Sequence, residues 1–172
     1  ETKQAAADAG TLAHDMVEHD IYGQAFDLAG YDESTITKAQ GAFSAYKEWK
    51  EHTNLTIAEA EVPLLSRVHR FGGTLDAILV QGKLALGDWK TSNGIYADYL
   101  LQLSAYQILW EENFPDRPIT GGFHLLRFSK ATDDSDPVSF SHHYWSQLDV
   151  AKEQFLHLLA AFKLDKRIKS LV

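Results

Sequence analysis

Gly73-Thr74-Leu75-Asp76-Ala77-Ile78-Leu79-Val80, then Gln81-Gly82-Lys83, then Leu84-Ala85-Leu86-Gly87-Asp88-Trp89-Lys90, is the stretch on which the reading of this chain turns. Two apolar runs of strand length flank a short glycine-containing turn, which predicts an antiparallel hairpin. Side chains two apart on a strand share a face, so Asp88 and Lys90 project together while Trp89 points to the other side. Pairing brings Asp76 towards Asp88, although the sequence does not set the register. Two carboxylates that converge repel each other unless positive charge sits between them. Mg²⁺ or Mn²⁺, hard cations that take oxygen ligands, are the natural solution. Such an ion polarises a phosphoryl oxygen and activates water. Lys90 then orients or deprotonates that water, or stabilises the charge that builds on phosphorus. Taken alone, Asp-x-Lys at a strand end is more often a solvated ion pair, and roughly one such match in ten carries function.

Upstream of the hairpin, residues 4–22 read as a helix with Leu12 and Met16 in its apolar stripe, and with His14 and Glu18 on one face. A second helix runs from Ser34 or Thr35 to about His52. Its Phe43, Tyr46 and Trp49 form either a core stripe or a surface for stacking bases, and core is the commoner outcome. Leu55–Leu65 reads as a strand nearing its end at Pro63. Glu61 lies on it, with Val62 pointing away. Arg67–Phe71 reads as the next strand, and Gly72-Gly73 as a turn that leaves room beside the acids.

Downstream, Thr91-Ser92-Asn93-Gly94 has the chemistry of a helix cap. The helix that follows, from about Tyr96 to Asn113, carries Tyr99, Gln102 and Tyr106 on one face. Ile119–Ser129 and Val138–Trp145 read as strands joined by a polar turn at Asp133–Pro137. His142 and His143 fall on opposite faces of their strand and make a poor metal pair. A last helix spans Ser146 to Lys163 or beyond. Its apolar side is Leu148, Phe155, Leu158, Leu159 and Phe162, and its basic end complements the helix dipole.

The 172 residues suit one domain over 1–172, with 45% hydrophobic and 23% charged residues as in ordinary globular chains. No apolar run is long enough to cross a membrane, and no signal peptide is evident. The first residue is Glu, so an N-terminal targeting segment could have been removed. Zero cysteines exclude disulfides and thiolate metal sites and fit a reducing compartment such as the cytoplasm. The net charge of −8 opposes tight non-specific binding to a duplex. It better suits a narrow strand channel, or a domain that takes DNA affinity from a protein partner.

Glu61, Gly73-Thr74-Leu75-Asp76, Asp88-Trp89-Lys90-Thr91-Ser92 and Gln102-xxx-Tyr106, with Gly10-Thr11-Leu12-Ala13-His14 upstream, together resemble the PD-(D/E)XK nucleases, most closely the RecB-like branch. The resemblance covers residues 10–106. It implies a restriction-endonuclease-like α/β core, a central mixed sheet flanked by helices, with the site where the strands of Asp76 and Asp88 meet the helix of His14. It implies metal ligation by His14, Asp76, Asp88 and the Trp89 backbone carbonyl, with Lys90 as the catalytic lysine. Glu61 matches an acid that acts through metal-bound water. Gln102 and Tyr106, with Tyr99 beside them, match a helix motif that supports the site and contacts DNA. The implied activity is a Mg²⁺- or Mn²⁺-dependent DNA nuclease, an exonuclease on single strands or ends in recombination, repair or replication. The alternative is a nuclease-fold DNA-binding or assembly module, inactive without a partner. Many members of that branch hold an iron–sulfur cluster on four cysteines, which this chain lacks.

Overall fold

The computed structural model describes residues 3–130 and 140–171. The elements follow in the order α1 (Lys3–Ile21), α2 (Glu33–His52), β1 (Thr56–Ser66), β2 (Phe71–Val80), β3 (Leu84–Lys90), α3 (Ala97–Asn113), β4 (Phe123–Phe128), β5 (Phe140–Trp145) and α4 (Asp149–Lys169). The strands form one sheet in the order β1-β2-β3-β4-β5. Every neighbouring pair is antiparallel except β3 and β4, which run parallel. Short turns can join the antiparallel pairs, but parallel neighbours need a long crossover, and α3 supplies it. The result is a mixed α/β sandwich with the restriction-endonuclease-like arrangement. No helix among the described residues is long and apolar enough to cross a membrane.

Apolar side chains cover both faces of the sheet. On one face, Leu12 and Met16 of α1 and Tyr46 and Trp49 of α2 pack with Leu79, Trp89 and Phe128. Tyr46, Trp49, Trp89 and Phe128 meet ring to ring at 5.8–6.3 Å between centroids. The aromatic stripe of α2 is therefore core: Tyr46 is 0% and Trp49 1% exposed, which leaves neither free to stack on a base. On the other face, Leu103, Leu109 and Trp110 of α3 cover Leu75, Ile78, Leu86 and Leu125. Asp32 caps α2, with Oδ1 accepting the Thr35 N–H at 3.0 Å.

Several boundaries differ from the sequence expectations for local reasons. Arg67–Arg70 is a turn and not a strand. Glu112 of α3 fixes it by accepting from Ser66 Oγ and from the Arg67 and Val68 N–H groups. Gly72 and Gly73 lie inside β2 and are not a turn. The left-handed residue that closes the hairpin is Arg70, at φ 53°. The Thr91–Gly94 loop does not cap α3, whose N-cap is Tyr96 without a side-chain bond. Its polar groups bond locally instead, Ser92 Oγ to the Gly94 carbonyl and Tyr96 OH to Asn93 Oδ1. The helix α4 starts at Asp149, and its Leu158 and Phe162 are 50% and 56% exposed rather than packed inward. The Asp133–Pro137 turn lies outside the described residues.

Candidate metal centre

The β2–β3 ladder runs from Val80–Leu84 to Ala77–Gly87. One step further along the same register, Asp76 faces Asp88. There the side chain takes over from the backbone, and Asp76 Oδ2 accepts the Trp89 N–H at 2.8 Å. This bond pins the acid across the hairpin and leaves its other oxygen open. On the opposite strand of the first hairpin, Ala60 pairs with Ala77 and Val62 with Leu75, so Glu61 stands across from Asp76. Glu61 has φ 49°, a left-handed conformation that costs a non-glycine residue about 1–3 kcal/mol. It turns the carboxylate out of plain strand alternation.

The helix α1 brings the histidine. A Cβ on Gly10 would stand 3.1 Å from Thr91 Oγ1, so the glycine lets the helix come close to the end of β3. One turn on, along the same face, is His14. Its Nδ1 lies 3.9 Å from Asp76 Oδ2. His14, Glu61 and Asp76 each offer a ligand atom, and these atoms all lie within 4.8 Å of one another. An open cleft of about 450 Å³ leads to them, lined by Ala7, Gly10, Thr11, His14, Asp15, Glu61 and Thr91.

The titratable groups of this centre are all displaced in the direction that burial dictates. Burial raises Asp88 most, with repulsion from Asp76 next and the attraction of Lys90 working against both. Asp76 is likewise raised by burial, and Lys90 and the Trp89 N–H draw it back. Glu61 is pushed up to about 7 by burial and then by the negative charge of Glu18, Asp15 and Asp88. Burial lowers His14, so its imidazole is neutral near pH 7 and free to coordinate. A backbone hydrogen bond from His14 to Trp89 sets that carbonyl beside the ring.

Asp88 is fully buried at 0% exposure. Its Oδ2 lies 2.6 Å from Lys90 Nζ, yet neither carboxylate oxygen has a well-directed hydrogen bond. The short distance is thus an ion pair with poor alignment, and the buried acceptor capacity is left unspent. Lys90 is held from the other side. Its Nζ donates to Gln102 Oε1 at 2.9 Å, Gln102 Nε2 donates to Tyr106 OH at 2.5 Å, and the Tyr99 ring lies 5.1 Å from the ammonium. A Cβ on Gly73 would meet Tyr106 at 3.3 Å, so the glycine leaves the space the tyrosine fills.

A set of one imidazole and several carboxylates, with an orphaned buried acceptor beside them, fits a hard divalent cation. His14, Glu61 and Asp76 are the side chains the fold converges. Asp88 is turned towards Lys90, and Glu61 comes nearer than an acid expected to act only through water. Asp15 and Glu18 add negative charge at Glu61. Asp15 had no separate signal, being one residue from His14, while Glu18 was visible only as the i+4 neighbour of that histidine.

An α/β nuclease-like core with a candidate divalent-metal site defines the class. Neither a family model nor a curated protein matches the chain. Among solved structures it is similar to a "Putative exonuclease" from Eubacterium rectale, at 12% identity and a TM-score of 0.55, over 88% of this chain and 63% of that one. The chain thus spans less than two thirds of that protein's length, and at this identity the likeness is one of fold.

Proposed function

We propose that the chain is a Mg²⁺- or Mn²⁺-dependent DNA nuclease of the RecB-like PD-(D/E)XK type, acting as an exonuclease on single strands or DNA ends. The observation that carries this reading is the convergence of His14, Glu61 and Asp76 beside the buried Asp88–Lys90 pair. His14, Asp76 and Asp88, with the Trp89 carbonyl, would hold the ion. When bound, the cation polarises the phosphoryl oxygen and lowers the pKa of water. Lys90 places its ammonium where charge builds on the phosphorus centre. Gln102 and Tyr99 fix that ammonium, and Tyr106 fixes Gln102, so the lysine needs no reorganisation during the step. Water adds to phosphorus, the P–O3′ bond breaks, and the leaving oxygen takes up a proton from solvent. Glu61, with a pKa of about 7, can take the proton that the attacking water loses.

The net charge of −8 favours a second reading, a nuclease-fold module that a protein partner must deliver to DNA. End-labelled single-stranded and duplex DNA, incubated with Mn²⁺, Mg²⁺ or EDTA beside Lys90→Ala and Asp88→Ala, separates the two. Metal-dependent degradation lost in both variants supports the nuclease, and its product ladder shows whether cleavage starts at an end. A folded protein that cuts nothing with either metal leaves the partner-dependent module.

A further inference from the structure

We propose that α4 is the contact face of a homodimer, in which two copies of the helix pack antiparallel about a two-fold axis near Ala161. The helix is 21 residues long and none of its residues is buried. It touches the rest of the fold along one side only, where Phe155 meets Phe71 at 5.0 Å between rings and Lys163 Nζ donates to the His69 carbonyl. On its other side and just beyond its end, Val150, Leu158, Phe162, Leu164, Ile168 and Leu171 are 50–84% exposed. A helix of ordinary propensity does not need these residues, and solvent disfavours them.

Their spacing is that of a helix-pairing seam. Val150, His157, Leu164 and Leu171 recur every seven residues, and Gln154, Ala161 and Ile168 fall four after the first three of them. That is the 4-3 repeat of an interface between two helices. Exposed apolar side chains along one helix fit several occupants, but the charges select a second copy. The first half of α4 carries Asp149 and Glu153, and its last turn carries Lys166, Arg167 and Lys169. Glu153 and Arg167 lie seven residues before and six after the seam's midpoint at residue 160–161, and both flank the seam on the same side. In an antiparallel pair each Glu153 meets Arg167 of the second copy, twice by symmetry. The same operation sets Gln154 against Ile168, His157 against Leu164, and Ala161 against itself, where a small side chain lets the helices approach. A parallel pair would instead align the two basic ends and repel. Paired over a length of about 30 Å, this face buries on the order of 1,000 Å² in all, the lower bound for a specific interface.

The test is sedimentation equilibrium over a concentration series, and it reads nothing from the metal centre. The chain should dimerise reversibly, and Ile168→Glu should lower the association constant at least 100-fold with its circular dichroism unchanged. Arg167→Glu should weaken the dimer about tenfold, and adding Glu153→Arg should restore it. Because the chain has no cysteine, Glu153→Cys and Arg167→Cys can be mixed. They should form the mixed disulfide in preference to either self-linked product. A monomer at every concentration overturns the proposal, as does a dimer indifferent to Ile168→Glu, or one in which the charge swap gives no rescue.

Discussion

Replacing Glu61 by glutamine keeps the size of the side chain and removes a charge that the metal-free protein holds at a cost. The glutamate pKa rises from 4.5 to about 7 on folding, because burial and the neighbouring Glu18, Asp15 and Asp88 disfavour the ionised form. A group whose pKa is raised on folding adds stability below its unfolded pKa, and that stability is lost as pH rises through the folded value. For Glu61 the loss runs from about pH 4.5 to 7. The shift sets a ceiling of about 3 kcal/mol at pH 8. The residue is only partly buried, and discounting for solvent screening leaves about 1–2 kcal/mol. At roughly 2–4 °C per kcal/mol in a chain of this size, Glu61→Gln should melt about 3–6 °C above the parent at pH 8 in EDTA. At pH 4.5 the two should coincide. With Mn²⁺ at a hundred times its dissociation constant the parent gains about 2.7 kcal/mol, while the variant, short of one ligand, gains less. Glu61→Gly gives a control, since it also relieves the left-handed backbone and should gain about 1 kcal/mol even at pH 4.5. Thermal unfolding followed by circular dichroism at four pH values, with and without Mn²⁺, measures all of this. A Glu61→Gln difference that does not change with pH, or a variant less stable than the parent at pH 8 in EDTA, would refute the electrostatic account.

The remaining predictions concern the lysine and the parts that hold it. Lys90→Ala should reduce metal-dependent cleavage by about 10²–10³-fold, in line with loss of one preorganised electrostatic group, with Mn²⁺ binding retained in calorimetry. Gln102→Ala leaves Lys90 chemically intact but unanchored, and should lower kcat roughly tenfold while moving KM little, a split that steady-state kinetics resolves. Gly73→Ala crowds Tyr106, 3.3 Å from the added carbon, and should produce a similar loss without touching any charged group. Glu112→Gln weakens the charge-assisted bonds that hold the Arg67–Arg70 turn, and should cost about 1–2 kcal/mol in urea unfolding with cleavage unchanged.

The parts of this molecule legible from sequence were those set by short-range pattern. The β2–β3 hairpin follows from two apolar runs around Gln81-Gly82-Lys83, and the sheet builds Asp76 opposite Asp88 in that hairpin. The side chains of Asp88 and Lys90 share a face because a strand has a period of two. What the sequence hid depends on partners distant along the chain. The Arg67–Arg70 turn reads as strand because it is rich in strand-compatible residues, and only Glu112, 44–46 residues away, makes it a turn. Likewise Leu158 and Phe162 read as inward-facing on α4, since periodicity finds an apolar face without saying what covers it. The left-handed turn at Glu61 has no local signal, because no rule of propensity places a glutamate there.

The hydrogen bond from the Trp89 N–H to Asp76 Oδ2 has a consequence for the history of such a domain. The acid that would hold the cation also closes the hairpin where backbone pairing has stopped, so losing it opens the sheet as well as disarming the chemistry. Lys90 has no comparable duty, since its bonds are all to side chains. A descendant that gave up cleavage for a scaffolding role would therefore shed the lysine first and keep Asp76 long afterwards. In such a lineage the surviving aspartate would testify to the architecture, and the lysine to the trade.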